Sequence, residues 1–121
     1  MVKAIRGATQ LDANSATAMK EGVVELLNEI VRRNELEEAE IVSIVFSQTE
    51  DLDAENPARC LRTVGFDGVP LFCTQEPRYP DSLPRVVRVL VTAERERWER
   101  PPAPVYLGAA AGLRPDLSTG T

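Results

Sequence analysis

Apolar and polar positions in the first third of the chain follow first the period of a strand and then the period of a helix. Residues 2–10 alternate between two faces, which predicts a strand. The polar residues 12–15 supply a turn and a helix cap, and an amphipathic helix is predicted from there to Asn34. The apolar stripe of this helix comprises Met19, Val23, Leu26, Leu27, Ile30 and Val31. A strand followed by a long surface helix is therefore the expected start of the fold.

The remaining pattern predicts one short helix and four more strands. Asn56 followed by Pro57 is a typical helix start, and Gly65 is a typical stop. Apolar runs rich in β-branched residues predict strands at residues 41–46, 69–75, 85–92 and 105–107, with a helical turn at 109–111. Two segments are predicted to be exposed connections, namely the acidic run 35–40 and the charged, proline-rich stretch 94–104.

The order of these elements predicts an α+β fold with a mixed five-stranded sheet and two helices on one face. At 121 residues the chain is expected to form a single domain, residues 1–121. The strands at 41–46 and 85–92 carry apolar residues on both faces, so both faces should be covered. Because two helices can cover only one face, a second copy of the chain is expected to cover the other.

The composition excludes several classes of function. The net charge of −5 and the pI of about 4.8 argue against nucleic-acid and anionic-membrane partners, which need a basic face. Histidine is absent, which excludes the usual catalytic triads and imidazole metal sites. Cys60 and Cys73 match neither a redox pair nor a zinc cluster and are expected to be reduced thiols. No stretch approaches the length of a membrane span, so a cytoplasmic enzyme or binding module fits best.

Arginine is the residue type that suggests a binding function. Only two of the 14 basic residues are lysines. Coding bias is one explanation, and the suitability of the planar guanidinium for binding carboxylate or phosphate is the other. Arg6 and Arg88 stand on otherwise apolar strand faces, where an unpaired charge is costly. They are expected either to form a salt bridge, for instance with Glu76 or Asp51, or to bind an anion.

Short motifs spread over most of the chain carry a family resemblance through their order and spacing. They are Ile5-Arg6-Gly7-Ala8-Thr9, Thr49-Glu50-Asp51-Leu52, Pro57-Ala58-Arg59, Val69-Pro70-Leu71, Gln75-Glu76, residues 82–89, Val105-Tyr106-Leu107 and residues 113–117. Together they resemble the small monofunctional chorismate mutases of the trimeric, barrel-like class. The resemblance implies a pseudo-barrel homotrimer that converts chorismate to prephenate, a step toward phenylalanine and tyrosine. Since this rearrangement needs no obligatory proton transfer, metal or redox cofactor, no cofactor and no metal are expected, and the absence of histidine is no obstacle.

The resemblance also implies roles for individual residues. Arg88 matches the main catalytic residue, whose guanidinium lies against the ether oxygen that gains negative charge. Arg6 and Tyr106 match positions that bind a substrate carboxylate. Glu76, a second catalytic residue, and Cys73 match positions that contact the ring hydroxyl. Simple alternation would place Cys73 and Glu76 on opposite faces of their strand, so the strand is expected to bend or to finish before Pro77.

Three further arginines are implied to approach the same site. Arg59 and Arg62 match a helical wall that comes from an adjacent subunit, with Arg62 nearer the substrate. Arg114 belongs to a C-terminal tail, residues 113–121, that is expected to be mobile and to close over bound substrate. For Arg59 a solvated helix charge is the alternative, and for the tail the alternative is an ordinary flexible terminus.

Two rival functions remain open from the sequence. Small α+β domains also assemble into trimers that bind anionic metabolites between subunits without catalysing a reaction. An enzyme that acts on a related enolpyruvyl substrate, such as isochorismate, is the other possibility. The joint presence of Arg6, Glu76, Arg88 and Tyr106 favours the chorismate mutase.

Overall fold

A mixed five-stranded sheet forms the centre of the structure, a computed structural model that describes residues 1–117. The strands are β1 (Val2–Gln10), β2 (Ile41–Gln48), β3 (Leu71–Gln75), β4 (Val86–Glu94) and β5 (Val105–Leu107), in the spatial order β3-β2-β4-β1-β5. The central strand β4 is antiparallel to both neighbours, whereas the outer pairs are parallel. The helices are α1 (Ala16–Asn34) and α2 (Pro57–Arg62), with 3₁₀ helices at Glu38–Glu40 and Gly108–Gly112. The predicted α+β arrangement of five strands and two helices is confirmed.

Polar side chains fix both ends of α1. Ser15 Oγ accepts a hydrogen bond from the Ala18 amide at 3.1 Å, which caps the first turn. At the other end Asn34 is buried, and its side-chain amide donates to the carbonyls of Ile30 and Ala103. Its oxygen accepts from the Ala103 amide at 2.7 Å. Asn34 therefore ends the helix and joins it to the segment that leads into β5.

Both helices lie on one face of the sheet and bury its side chains. Four β4 side chains point to this layer and are buried: Val87, Val89, Val91 and Ala93. Ile30 of α1 is fully buried in the same core. The approach of α1 is closest at Gly7, where an added Cβ would lie 2.8 Å from Ile30 Cδ1 and 2.9 Å from Val89 Cγ1. A larger residue at Gly7 would push these groups apart, because packed cores have little free space.

The opposite face of the sheet carries exposed apolar side chains. Val45 and Leu90 are cross-strand partners that are 37% and 43% exposed, and Phe72 on β3 is 64% exposed. This surface, which also contains Arg6 and Arg88, is called the open face below. The prediction that β2 and β4 carry apolar residues on both faces is confirmed. An apolar surface of this extent is typical of a protein interface, and within residues 1–117 most of it is uncovered.

The strand boundaries differ from the predicted ones at four points. Strand β2 continues to Gln48 and β4 to Glu94, because β4 pairs with nearly the full length of both β1 and β2. Strand β3 begins only at Leu71, after Pro70, which has no amide hydrogen to donate to a sheet. Strand β4 begins one residue after Arg85, whose left-handed backbone (φ 54°) is incompatible with a strand.

The acidic run 35–40 is more ordered than predicted. Glu38 Oε1 accepts a hydrogen bond from the Phe66 amide at 3.0 Å. Glu40 accepts two hydrogen bonds from Arg95, whose guanidinium also stacks on the Trp98 ring, 4.8 Å from its centroid. The expected solvated connection is observed at the exposed residues Glu35, Glu37, Glu38 and Ala39. Glu40 differs, because the segment 94–104 brings a cation to it.

The Glu40–Arg95 pair should make stability depend on pH. Hydrogen bonds from Arg95, and a weaker effect of the Glu37 amide, hold the pKa of Glu40 at about 2, below its ordinary value of 4.5. A lowered folded-state pKa stabilises the fold fully above the unfolded-state value, and the contribution is lost as pH falls toward the folded-state value. We expect Glu40→Gln to lower Tm by about 2–4 °C at neutral pH, and by progressively less as the solution is acidified below a pH of about 4.5.

Scanning calorimetry across this pH range measures the effect. Glu25→Gln, at an exposed position of α1, is the matched control and should leave Tm nearly unchanged. A decrease for Glu40→Gln that stays constant down to acid pH would contradict the assignment.

Candidate active site

One row of side chains crosses the open face from β2 to β5. The strand register places Ser47 opposite Arg88, Arg88 opposite Ala8, and Ala8 beside Tyr106. Arg6 precedes Ala8 by two residues on the same face, so it is a diagonal neighbour of Arg88. Alternation along three strands thus gathers two arginines and a tyrosine on one surface.

Glu76 faces this row from the end of β3. Its amide donates to the Gln48 carbonyl at 2.7 Å, which fixes its backbone one residue beyond the strand. Glu76 Oε1 lies 3.0 Å from Arg88 Nε and accepts a hydrogen bond from Ser47 Oγ at 2.7 Å. The salt bridge that the sequence offered as one expectation for Arg88 is therefore present, and its partner is Glu76.

Arg88 retains hydrogen-bonding capacity despite this ion pair. Its Nε is buried and makes no hydrogen bond within residues 1–117, since its direction toward Glu76 falls outside hydrogen-bond geometry. The side chain is 41% exposed, so the guanidinium also reaches the surface. Arginine and carboxylate commonly form two parallel hydrogen bonds, and this pair forms none. A charged donor is thus held beside a carboxylate without being satisfied by it.

The described part of the C-terminal segment packs on the same row. Leu113 and Leu117 contact the buried cluster formed by Ala8, Tyr106 and Ala110. This contact brings the segment next to the tyrosine. The rest of the predicted tail, residues 118–121, lies outside the described residues.

Arg114 also lies on this side of the molecule. Its Nη2 is 2.8 Å from Asp116 Oδ2, and hydrogen bonding from Arg114 lowers the pKa of the Asp116 carboxyl. Arg6 lowers the same pKa by a weaker electrostatic effect, so Asp116 lies within electrostatic reach of both arginines. Arg6 and Arg114 therefore share an acidic neighbour, Asp116.

Cys73 points to the opposite face. It pairs in register with the buried Phe46, and its Sγ donates to Asn56 Oδ1 at 3.3 Å, next to the start of α2. Arg59 and Arg62 are exposed on α2, and Arg59 Nε is 3.5 Å from a carboxylate oxygen of Glu55. Within one chain these three residues lie apart from the Arg88 row.

The implied site residues thus form two groups in one chain. The open-face group contains five of them, at the row and beside it: Arg6, Glu76, Arg88, Tyr106 and Arg114. The α2 group contains the other three: Arg59, Arg62 and Cys73.

Contacts that sequence reasoning did not identify hold the start of β4. The Asp51 carboxylate accepts from the Arg85 amide at 3.0 Å, at the residue with positive φ. Thr49 Oγ1 donates to Asp51 and accepts from the Val86 amide at 3.1 Å. These bonds fix the backbone two residues before Arg88. The available signal was the Thr49-Glu50-Asp51 motif, because side chains of these types bond to nearby backbone in turns.

The open-face group has the chemistry to bind a small anion. The guanidinium groups of Arg6 and Arg88 can donate to carboxylates, and Glu76 can accept from a hydroxyl. Arg114 adds a third guanidinium, which is paired with Asp116. Within residues 1–117 there is no cluster of three or more histidine, cysteine, aspartate or glutamate side chains suited to a metal ion. Over the same residues, neither helix has the length and apolar character needed to cross a membrane.

An α+β sheet whose open face gathers arginines, a tyrosine and a glutamate has the groups that a protein for small anionic molecules requires. Comparison with known proteins gives the family. The sequence model of the chorismate mutase type I family matches residues 2–117, and the chain belongs to this family.

Two relatives and a solved structure support this membership. The chain is 36% identical over 120 residues to the chorismate mutase AroH of Thermus thermophilus, with 98% of each protein covered. It is 32% identical over 119 residues to the chorismate mutase AroH of Bacillus subtilis, covering 98% of this chain and 94% of that protein. A chorismate mutase from Clostridium thermocellum has a TM-score of 0.86 and 36% identity, over 91% of this chain and 98% of that one. The family resemblance of the motifs is confirmed.

The Cys73 thiol should react slowly in the folded protein. Burial raises the pKa of this thiol above its ordinary value of 9.0, and the thiolate is the reactive form. We expect its alkylation by iodoacetamide at neutral pH to be at least about tenfold slower than that of a free cysteine peptide. Mass spectrometry of digested samples measures the rate, and the same protein in urea is the control. A native rate equal to that of the peptide would contradict the half-buried, hydrogen-bonded placement of the thiol.

Proposed function

We propose that this protein is a chorismate mutase that rearranges chorismate to prephenate, and that the open-face group carries the reaction. Family membership over residues 2–117 supports the reaction. The observation that supports the site is Arg88, whose buried Nε lacks a hydrogen bond while it lies 3.0 Å from the Glu76 carboxylate. On this proposal the enzyme works in the cytoplasm, on the route to phenylalanine and tyrosine.

The reaction is an intramolecular Claisen rearrangement. The ether C–O bond breaks while a C–C bond forms between the enolpyruvyl methylene carbon and the ring, in one cyclic shift of electron pairs. No proton enters or leaves, and negative charge grows on the ether oxygen in the transition state. A guanidinium held beside that oxygen stabilises the transition state more than the substrate. Arg88 is suited to this role because it stands on the central strand of the sheet.

The other open-face residues would hold the substrate in its reactive conformer. Arg6 and Tyr106 donate to a carboxylate, Glu76 accepts from the ring hydroxyl, and Arg114 closes the site from the C-terminal segment. Such binding brings the two reacting carbons together before the bond forms. Once a second chain covers it, the apolar surface around Leu90 would exclude water and so strengthen each charged contact.

The complete site would form between subunits of a homotrimer with a pseudo-barrel core. Two observations support this assembly: the open face is apolar and uncovered within residues 1–117, and the α2 group lies apart from the Arg88 row. Packing of one chain's open face against the β3 and α2 edge of the next would cover the apolar surface. It would also bring Arg59, Arg62 and Cys73 of one chain to the Arg88 row of the other.

Substitution of Arg88 tests the chemistry. We expect Arg88→Ala to lower kcat by at least about 10²-fold, because a donor to developing negative charge is lost. Arg88→Lys should recover only part of the rate, since an ammonium lacks the planar geometry of a guanidinium. The disappearance of chorismate and the identity of the product, followed by NMR, measure the rates.

Arg97→Ala, at an exposed position outside both groups, is the matched control and should keep the wild-type rate. Unchanged kcat in Arg88→Ala would refute the assigned role. Chorismate bound but left intact by the wild-type chain would favour the non-catalytic module, and turnover of isochorismate alone would favour the related enzyme.

Complementation between two inactive chains tests the shared site. Each proposed site contains Arg88 of one chain and Arg62 of the neighbouring chain. Arg88→Ala removes the first arginine from every site and Arg62→Ala removes the second, so each variant alone should be weakly active. Co-refolded in equal amounts, the two chains should form sites that have both arginines at about a quarter of the interfaces, by random assembly of a cyclic trimer. We therefore expect about a quarter of the wild-type activity in trimeric fractions separated by size. A mixture no more active than its parents, or a fully active monomer, would exclude sites between subunits.

A further inference from the structure

Ser47 is a polar residue next to the end of β2, and sequence reasoning assigned no role to it. The register places it directly opposite Arg88 on the open face. Its Oγ donates to Glu76 Oε1 at 2.7 Å. One hydroxyl therefore contacts the carboxylate that lies beside the proposed catalytic arginine.

Without the Ser47 hydroxyl, the Glu76 carboxylate would prefer to hydrogen-bond to the Arg88 guanidinium. Its backbone is fixed by the bond to Gln48, but a glutamate side chain keeps several rotatable bonds. A carboxylate next to a guanidinium prefers two parallel hydrogen bonds, which are short and strong. The structure shows instead an ion pair at 3.0 Å in which Arg88 Nε makes no hydrogen bond within residues 1–117. The hydrogen bond from Ser47 holds Oε1 in that unpaired geometry.

We propose that Ser47 is a positioning residue that keeps Glu76 from closing onto Arg88. With Oε1 held by Ser47, the guanidinium retains its donors for the ligand, and the carboxylate retains acceptor capacity for a hydroxyl. This inference rests on the proposed function of the open-face group, and it adds a residue that acts through Glu76 rather than by touching substrate.

Loss of the hydroxyl should reduce catalysis mainly through kcat. In Ser47→Ala the carboxylate would turn onto Arg88 and compete for its donors. The contact between Arg88 and the ether oxygen matters most in the transition state, so this competition affects kcat more than KM. We expect kcat to fall about tenfold, with KM changed by less than about threefold, as for a lost hydrogen bond to a charged group.

A pair of variants with the same shape isolates the hydroxyl. Ser47→Thr keeps an Oγ donor and should retain at least about half of the wild-type kcat, whereas Ser47→Val has the same branched shape without the donor and should resemble Ser47→Ala. Ser43→Ala, on the same strand and the same face, is the matched control and should leave kcat unchanged. Equal rates for Ser47→Thr and Ser47→Val would overturn the proposal.

A double-mutant cycle tests whether Ser47 acts through Glu76. In a Glu76→Gln background, adding Ser47→Ala should change kcat by less than about twofold, because the carboxylate that it positions is gone. The same tenfold loss in both backgrounds would show a general structural effect and would overturn the proposal.

NMR of the arginine Nε–H group gives a readout that does not depend on turnover. The Arg88 signal, assigned by its absence in Arg88→Lys, should move downfield and exchange more slowly in Ser47→Ala, because Nε would then hydrogen-bond to Glu76. An unchanged signal in Ser47→Ala would overturn the positioning role. Failure of the wild-type chain to convert chorismate would refute the proposed function instead, and this signal would still decide what Ser47 does to Glu76.

Discussion

The two-residue alternation of β4 is the constraint on which the rest of the structure depends. One set of its side chains, which includes Val87, Val89 and Val91, forms the centre of the core under the helices. The intervening set places Arg88 and Leu90 on the open face. Because β4 is hydrogen-bonded to a strand on each side, a shift of one residue would move every side chain to the wrong face. The same register that stabilises the core therefore determines where the guanidinium stands.

Two arginine–carboxylate pairs show how geometry separates a structural role from a chemical one. Arg95 donates two hydrogen bonds to Glu40 and others to backbone carbonyls at the end of α1, and its face is covered by Trp98. Its donors are satisfied, and it holds the 94–104 segment to the helix. Arg88 lies equally close to Glu76 but forms no hydrogen bond with it. Both pairs join a guanidinium to a carboxylate. Only the Arg88–Glu76 pair leaves guanidinium N–H donors for another molecule.

Periodicity and capping were sufficient to predict the elements that are decided locally. The first strand, a helix cap within residues 12–15 and the end of the long helix near Asn34 follow from neighbouring residues, and the structure has all three, with Ser15 as the cap. The expected end of the third strand before Pro77 is also observed, since β3 ends at Gln75. What escaped prediction depends on pairing between distant segments, such as Glu40 with Arg95 or Ser47 with Glu76. A single sequence does not specify such pairs, because they exist only once the strand register is set.

For the candidate site, the sequence motifs were sufficient to identify the residues, but only the fold shows which of them lie together. The sequence singled out Arg88 and Arg6 as charges on apolar strand faces, and both lie on the open face. It could not show that Cys73 and Arg62 lie on the other side of the same chain, since that follows from the strand order. The left-handed backbone of Arg85 was equally hidden, because no residue type there demands it.

Gly7 links the evolution of the core to that of the site. Its missing side chain admits Ile30 and Val89 on the helix face, while its neighbours Arg6 and Ala8 belong to the row on the open face. Any enlargement of α1 against this strand would move both flanking residues by a fraction of an ångström, which is enough to disturb a site that requires close positioning. Selection for activity should therefore restrict which side chains are tolerated along the buried stripe of α1, although none of them touches a ligand.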